Sequence, residues 1–283
     1  LHALLTRERF GYYQDYGAAG DLSKALAEGF VYDGQYSRFR KRKHGNSSRG
    51  CPARQFVICA QNHDQVGNRL QGDRLSQLLD FERLKLAAGC LLLSSYIPML
   101  FMGEEYGEDN PFQYFVSMND PDLAEAVSKG RAQEFLDFQW QGECPEPQAE
   151  ETFQRSKLQW DKRAAGRHKL LLDFHQALIR LRKANPNFVS KADLSAGSID
   201  EQEIVYMHRN IGDNLFLCLM NFSENLQTFA CPALNVPLEK TLDSADSSWQ
   251  GPGALAPDEI SGNRNIEMPP SSIIVYVSKE QAL

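Results

Sequence analysis

Apolar positions along the chain follow two rhythms. In the first two thirds they recur at helical spacing or gather in short solid runs, and in the last third they form short strand-like segments separated by turn residues. The opening Leu1-His2-Ala3-Leu4-Leu5-Thr6 reads as helix. Asp21 is placed to cap a short helix running to about Glu28, which Gly29 ends. Leu84, Ala87, Ala88, Leu91 and Leu92 mark one amphipathic helix between Phe81 and Ser95. Leu171, Phe174, Leu178 and Leu181 mark another, stopped by Asn185-Pro186. Between these, Gln55 to Ala60 and Ile97 to Met102 are β-branched and aromatic runs suited to strands buried on both faces of a parallel sheet. Tyr32 to Pro52 and Asn110 to Gln148 lack such periodicity and read as irregular, the first as a long exposed loop.

Strand, polar segment, helix, strand is a βαβ unit, as found in a TIM barrel or a doubly wound sheet. No G-x-G-x-x-G follows either strand, which weakens the nucleotide-binding version. Beyond Pro186 the strands Ile204 to His208, Leu215 to Phe222, Gln227 to Cys231 and Ile273 to Val277, with turn residues such as Gly212-Asp213-Asn214, predict a small antiparallel β-sandwich starting near Phe188. The expected division is therefore 1–187, carrying the α/β part, and 188–283, the sandwich.

With 283 residues and 42% hydrophobic content the chain has enough apolar material for a sizeable core. A net charge of −7 argues against a general nucleic-acid binder and suits a neutral ligand. The basic run from Arg38 to Lys43 reads as a solvated face in that acidic background. Six scattered cysteines without a C-x-x-C pair predict reduced thiols and a cytoplasmic setting, with no metal site. No apolar run is long enough to span a bilayer as a helix. The first residue, Leu1, falls inside a helix-like stretch, so a piece of a longer protein is expected.

The chemistry concentrates in Gln61-Asn62-His63-Asp64-Gln65-Val66-Gly67-Asn68-Arg69, where an amide, an imidazole, a carboxylate and a guanidinium follow the first buried strand. These groups suit a polyhydroxylated ligand. Asn62-His63-Asp64 resembles the end of the seventh barrel strand in the α-amylase family of glycoside hydrolases. The extended QNHDQVGNR, with Pro98-Met99-Leu100-Phe101-Met102-Gly103-Glu104-Glu105-Tyr106-Gly107 where an eighth strand belongs and Gly29-Phe30-Val31-Tyr32-Asp33-Gly34-Gln35-Tyr36-Ser37 upstream, resembles the malto-oligosyltrehalose trehalohydrolases within it. The resemblance covers most of the chain and weakens in the sandwich.

It implies the C-terminal portion of a (β/α)8 barrel, with strands like the sixth to eighth, followed by an all-β antiparallel sandwich. It also implies a retaining hydrolase that cuts the α-1,4 bond beside a terminal trehalose, with an Asp nucleophile, a Glu acid/base and an oxocarbenium-like transition state. Asp64 matches the third carboxylate of that family, the transition-state stabiliser. Substrate contacts are implied for Asn62, His63, Gln65, Arg69, Phe39, Arg40 and Tyr12. Neighbours in sequence at a strand end point to opposite sides, so at most one of Glu104 and Glu105 faces the pocket; Glu105 is the candidate.

No organic cofactor or metal is implied. The family's nucleophile and acid/base both precede Asn-His-Asp and no carboxylate here matches either, so this chain alone is expected to be inactive. It is also expected to be marginally stable or to aggregate, because a barrel lacking early strands exposes edges. Two rivals stand beside this reading: a branching or debranching relative, and a non-catalytic glucan-binding remnant.

Overall fold

A computed structural model of the protein describes residues 1–134, 143–184, 194–211 and 214–278. Its helices are α1 His2–Thr6, α2 Ala19–Glu28, α3 His63–Gly67, α4 Leu75–Leu78, α5 Phe81–Leu92, α6 Pro121–Glu134, α7 Glu150–Arg155 and α8 Gly166–Ala184. The strands are β1 Asp33–Ser37, β2 Arg42–Gly45, β3 Val57–Ile58, β4 Ile97–Pro98, β5 Leu194–Ile199, β6 Ile204–Ile211, β7 Asn214–Asn221, β8 Gln227–Cys231, β9 Leu238–Asp243, β10 Glu259–Ile260, β11 Arg264–Met268 and β12 Ser272–Ser278.

The expected βαβ unit is present: β3 and β4 pair in parallel and α5 lies between them in sequence. Asp80 starts α5 by accepting from the Arg83 N–H at 2.8 Å. The paired segments are much shorter than the apolar runs that announced them. They are also not buried on both faces as expected, because Val57 is 61% and Ile97 41% exposed.

Two further expectations change. Asp21 is not the N-cap of α2, which is Ala18; it sits in the first turn and caps the helix start from there, its carboxylate accepting from the Gly17 and Ala18 N–H groups at 3.0 and 3.1 Å, while Gly29 ends the helix with φ 108°. The stretch from 32 to 52 is not a plain loop, since β1 and β2 form an antiparallel hairpin there. The supposedly irregular segment 110–148 likewise contains α6. The boundary proposed at 187/188, the Asn185-Pro186 stop and most of the Gly212-Asp213-Asn214 turn lie outside the described residues.

Six antiparallel strands form one sheet, in the order β10-β9-β12-β7-β6-β5, and β11-β8 form a second. The predicted strands are all found, and β5, β9, β10 and β11 join them. The large sheet is apolar on both faces. Ile274 and Tyr276 of β12, with Leu217 and Leu219 of β7, pack with Phe229, Ile266 and Met268 of the small sheet. Alternate residues Ile273, Val275 and Val277, with Phe216, Cys218 and Met220, pack with Leu22, Leu86, Cys90, Leu91, Phe174 and Leu178 from the helices. A continuous apolar strand such as Ser272–Ser278 is what a sheet covered on both sides requires.

Gly89 of α5 lets the helix approach that face, since a Cβ there would stand 2.5 Å from Ile273 Cδ1. Lys85 crosses the same interface, donating from Nζ to the carbonyls of Ser244 and Trp249 at 2.6 and 3.0 Å.

Candidate active site

The chain leaves β3 through Cys59 and Ala60 and enters α3 at Asn62. Asn62 has extended backbone dihedrals, and its side-chain oxygen accepts from the Gln65 N–H at 2.8 Å. The Asn of the Asn-His-Asp motif is thus a helix cap, and its carbonyl group is already committed. The cap sets His63 and Asp64 side by side in the first turn, with their side chains 70% and 74% exposed and His63 Nε2 3.4 Å from Asp64 Oδ1. An imidazole and a carboxylate held together in solvent are available to a ligand's hydroxyls. Gln65, half-buried, follows them.

Arg69 points the other way. It is 7% exposed and donates from both Nη atoms to the Glu8 carboxylate at 3.0 and 2.9 Å, with Asp73 at 3.4 Å from Nε. Glu8 also takes a contact from His2 Nε2 at 2.9 Å. Burial alone would raise the Glu8 carboxyl; the hydrogen bonds from His2 and Arg69 outweigh it and hold the group at about 2.

His2 stacks on Tyr13 with ring centroids 4.5 Å apart, Tyr13 meets Tyr12 at 4.4 Å, and Tyr12 meets Phe39 edge-on at 6.2 Å. A chain of contacts therefore runs from the foot of α3 to the hairpin turn. Tyr12, Phe39 and Arg40, expected near one end of a substrate, do come together. Phe39 is 43% exposed, and Arg40, next to it in sequence, is exposed too.

The carboxylate that builds this turn is Asp15, which sequence reasoning missed. It accepts from Tyr32 Oη at 2.7 Å, Ser37 Oγ at 2.6 Å, and the N–H groups of Arg38 and Phe39 at 2.8 and 3.2 Å. These bonds outweigh its desolvation and lower its pKa. No motif surrounds Asp15, and its partners lie up to 24 residues away.

Arg131 was missed as well. From α6 it donates to the Gly67 carbonyl at 2.6 Å and to Asn68 Oδ1 at 2.8 Å, and its guanidinium lies 4.6 Å from the Tyr114 ring centroid. It clamps the C-terminal end of the helix whose first turn carries Asp64.

After β4 the chain turns at Gly103, whose φ of 86° belongs to the left-handed region, into a short 3-10 turn at Glu104–Tyr106. Glu104 and Glu105 are both part-buried. Glu104 accepts from the Phe101 N–H at 3.0 Å. Burial pushes its carboxyl up to about 7; the bonds from Phe101 and Gln61 and the charge of Arg74 lower it, and the neighbouring Glu105 charge raises it further. Glu108 next to them is wholly buried and accepts from Tyr106 Oη, Asn110 N and Gln159 N at 2.8, 2.9 and 2.5 Å. Among the described residues no group of three or more His, Cys, Asp or Glu side chains could hold a metal ion.

No family model matches the chain. Curated relatives do, all of them malto-oligosyltrehalose trehalohydrolases. The protein from Saccharolobus solfataricus is 47% identical over 183 residues, 65% of this chain and 31% of its own length. That from Brevibacterium helvolum is 45% identical over 71% of this chain and 34% of its own length, and that from Deinococcus radiodurans 35% identical over 80% and 38%. The chain thus spans about a third of the length of the relatives it matches.

A crystal structure of a Salmonella typhimurium protein assigned to the α-amylases superposes on 98% of this chain, with a TM-score of 0.81 and 35% identity, and 45% of that protein is covered. A pullulanase from Paenibacillus barengoltzii, at 18% identity, shares the fold over 91% of this chain with a TM-score of 0.54. The fold class is accordingly the expected one: the C-terminal portion of an α-amylase-type (β/α)8 barrel, to which β3 and β4 belong, followed by an antiparallel sandwich.

Proposed function

The chain belongs to the malto-oligosyltrehalose trehalohydrolase family, and from that premise we propose that the complete protein hydrolyses the α-1,4-glucosidic bond next to the terminal trehalose of a malto-oligosyltrehalose. The products are trehalose and a shorter malto-oligosaccharide. The observation that carries this reading is the exposed His63–Asp64 pair, held by the Asn62 cap just beyond a parallel strand. The loop beyond the carboxyl end of a barrel strand is where this fold places its chemistry.

In this reading Asp64 is neither nucleophile nor proton donor. Its carboxylate accepts hydrogen bonds from sugar hydroxyls and stabilises the positive charge that develops at the anomeric centre, where a charge-assisted bond in a partly dried cleft strengthens toward the transition state. His63 donates to the same sugar. Phe39 and Tyr12 offer aromatic faces to the trehalose end, and Arg40 supplies donors to its hydroxyls.

Gln65 and Glu105 contribute direct contacts. Asn62 and Arg69 act indirectly, one through the cap and the other through Glu8. In this reading the two carboxylates of the double displacement lie, as the family resemblance implies, ahead of the Asn-His-Asp motif in the complete protein, and the 283 residues alone are expected to bind glucan weakly without turning it over. Six free thiols support a cytoplasmic setting, and no described helix is long and apolar enough to cross a membrane.

The test is product analysis on the complete protein given malto-oligosyltrehalose, with Asp64→Asn in parallel. Trehalose release in the native enzyme, reduced roughly 10²- to 10³-fold in kcat by the substitution, is the expected result. Glucan chain rearrangement without trehalose would move the protein to the branching or debranching relatives. Binding without any bond cleavage would make it a glucan-binding protein.

A further inference from the structure

A cleft of about 450 Å³ opens between β1 of the hairpin, the 3-10 turn Gly11–Asp15 and the start of α2. That size lies within the roughly 300 to 1,000 Å³ of small-molecule sites. Neither Asp64 nor any side chain given a direct substrate contact above lines it.

Arg9 forms part of its wall with a fixed guanidinium. Nη2 donates to the Gly17 carbonyl at 3.1 Å, and Nη1 to the Glu8 carbonyl at 3.0 Å and to the Ala3 carbonyl. Gly17 permits this, since its φ of 115° suits glycine and a Cβ there would collide with the guanidinium. Tyr16 and Tyr32 meet with ring centroids 5.3 Å apart, and Tyr36 lines the same cleft while 60% exposed. Three rings share one concave surface, and aromatic surface exposed together, unlike scattered single side chains, marks a ligand face.

The formal charges of the lining cancel, Arg9 and Arg38 against Asp15 and Asp21. Asp15 is spent on the hairpin turn, and Asp21 uses Oδ2 on the Gly17 and Ala18 N–H groups. The Arg38 guanidinium, the Tyr36 hydroxyl, Asp21 Oδ1 and Gln14 Oε1 have no hydrogen-bond partner among the described residues. Rings for pyranose faces, unused donors and acceptors for hydroxyls, and no net charge are the chemistry of a neutral saccharide. An anion is the alternative ligand, because Gly34 to His63 holds seven Arg and Lys and no Asp or Glu. Of those seven, however, Arg38 alone lines the cleft, and two carboxylates face it there.

We propose that this cleft is a second saccharide site, which binds a malto-oligosaccharide segment against Tyr16, Tyr32 and Tyr36, with Arg38 and Asp21 on its hydroxyls. It deepens the functional reading, on which it rests for the α-glucan identity of the sugar, and takes no part in bond cleavage. Asp15 joins the two sites: it lines the cleft and accepts from the N–H of Phe39, a residue of the reacting site. A glucan anchored in the cleft raises the concentration of glucan near the Asp64 turn.

The complete protein carrying Asp64→Asn, which suppresses turnover, is titrated with maltotriose by calorimetry, and its crystals are soaked in the same sugar. Two molecules bound per chain in solution, one of them seen in the cleft, are expected. Tyr36→Ala should weaken cleft binding at least about tenfold, and Tyr36→Phe, which keeps the ring, by no more than about threefold. Both should melt at the native temperature, because the side chain is 60% exposed. Raising salt from about 50 to about 500 mM should change the cleft affinity less than about twofold, as a neutral ligand requires. In the native enzyme Tyr36→Ala should leave kcat within about twofold; a collapse of kcat would put Tyr36 in the reacting site and overturn a separate cleft. One sugar per chain, an affinity indifferent to Tyr36→Ala, displacement of the sugar by inorganic phosphate, or a cleft filled by another segment of the complete protein also overturns the proposal. Sugar bound only beside His63 and Asp64 removes the cleft and leaves the functional reading standing; sugar bound at neither place removes both.

Discussion

Replacing Arg69 by Met leaves the Glu8 carboxylate buried with only His2 beside it. In the native arrangement Arg69 is 7% exposed, and both of its Nη atoms bond a carboxylate whose side chain is 15% exposed. Glu8 titrates at about 2 in the fold, against an ordinary 4.5. At about 1.4 kcal/mol per pH unit, that depression corresponds to about 3 kcal/mol of stability, present above pH 4.5 and lost as pH falls from 4.5 through 2. Breaking a buried pair from one side costs roughly 3 to 5 kcal/mol, because the remaining charge is stranded.

Arg69→Met should therefore destabilise the chain by about 3 kcal/mol at pH 7 and by less than half of that at pH 3. The double variant Glu8→Gln with Arg69→Met should recover at least about 1 kcal/mol of the loss. Urea unfolding followed by circular dichroism at the two pH values measures all three quantities. A loss under about 1 kcal/mol at pH 7, equal losses at both pH values, or a double variant no better than the single one would refute the reasoning.

Other perturbations separate the site's parts. Asp15→Asn keeps the shape but removes the charge that four donors converge on; in the complete protein KM should rise about tenfold with kcat within a few-fold, as a loss of about 1.4 kcal/mol of binding requires, and an unchanged KM would remove the hairpin from the substrate path. Phe39→Ala should raise KM by a similar factor through a lost stacking face, with no change in melting temperature because the ring is 43% exposed. Arg131→Met unpins the Gly67 carbonyl and Asn68. It should lower kcat about tenfold with little change in KM; equal activity would show that α6 does not hold the turn.

The motif around Asp64 made the turn and its exposed pair legible, because a cap, an imidazole and a carboxylate are consecutive in sequence. The groups that hold the turn were not legible. Glu8 lies 61 residues from Arg69, and Asn68 lies 63 from Arg131, so no local pattern joins them. For that reason Arg69 read as a ligand contact, although it faces inward.

The same physics explains the missed elements. Ser37 is the only buried residue of the β1–β2 hairpin, so its strands show no apolar alternation. In α6 the large apolar Leu123 is 51% exposed and a buried face belongs to Arg131 at 7%, which inverts the usual stripe. Strands β6, β7 and β12 bury residues heavily and announced themselves. Strand β11, RNIEM, buries only Ile266 and Met268, and its polar positions hid it.

The large sheet has consequences for how such a protein can be inherited. Because β12 and β7 give one face to the small sheet and the other to α2, α5 and α8, the sandwich is not a cartridge that recombination could exchange by cutting near residue 188. A crossover there would set Leu86, Cys90, Leu91 and Phe174 against a stranger's strand, with Gly89 fitted to an isoleucine no longer present. Lineages of this protein should therefore carry the helices and the sheet as one heritable unit, and substitutions at Gly89 and at position 273 should travel together.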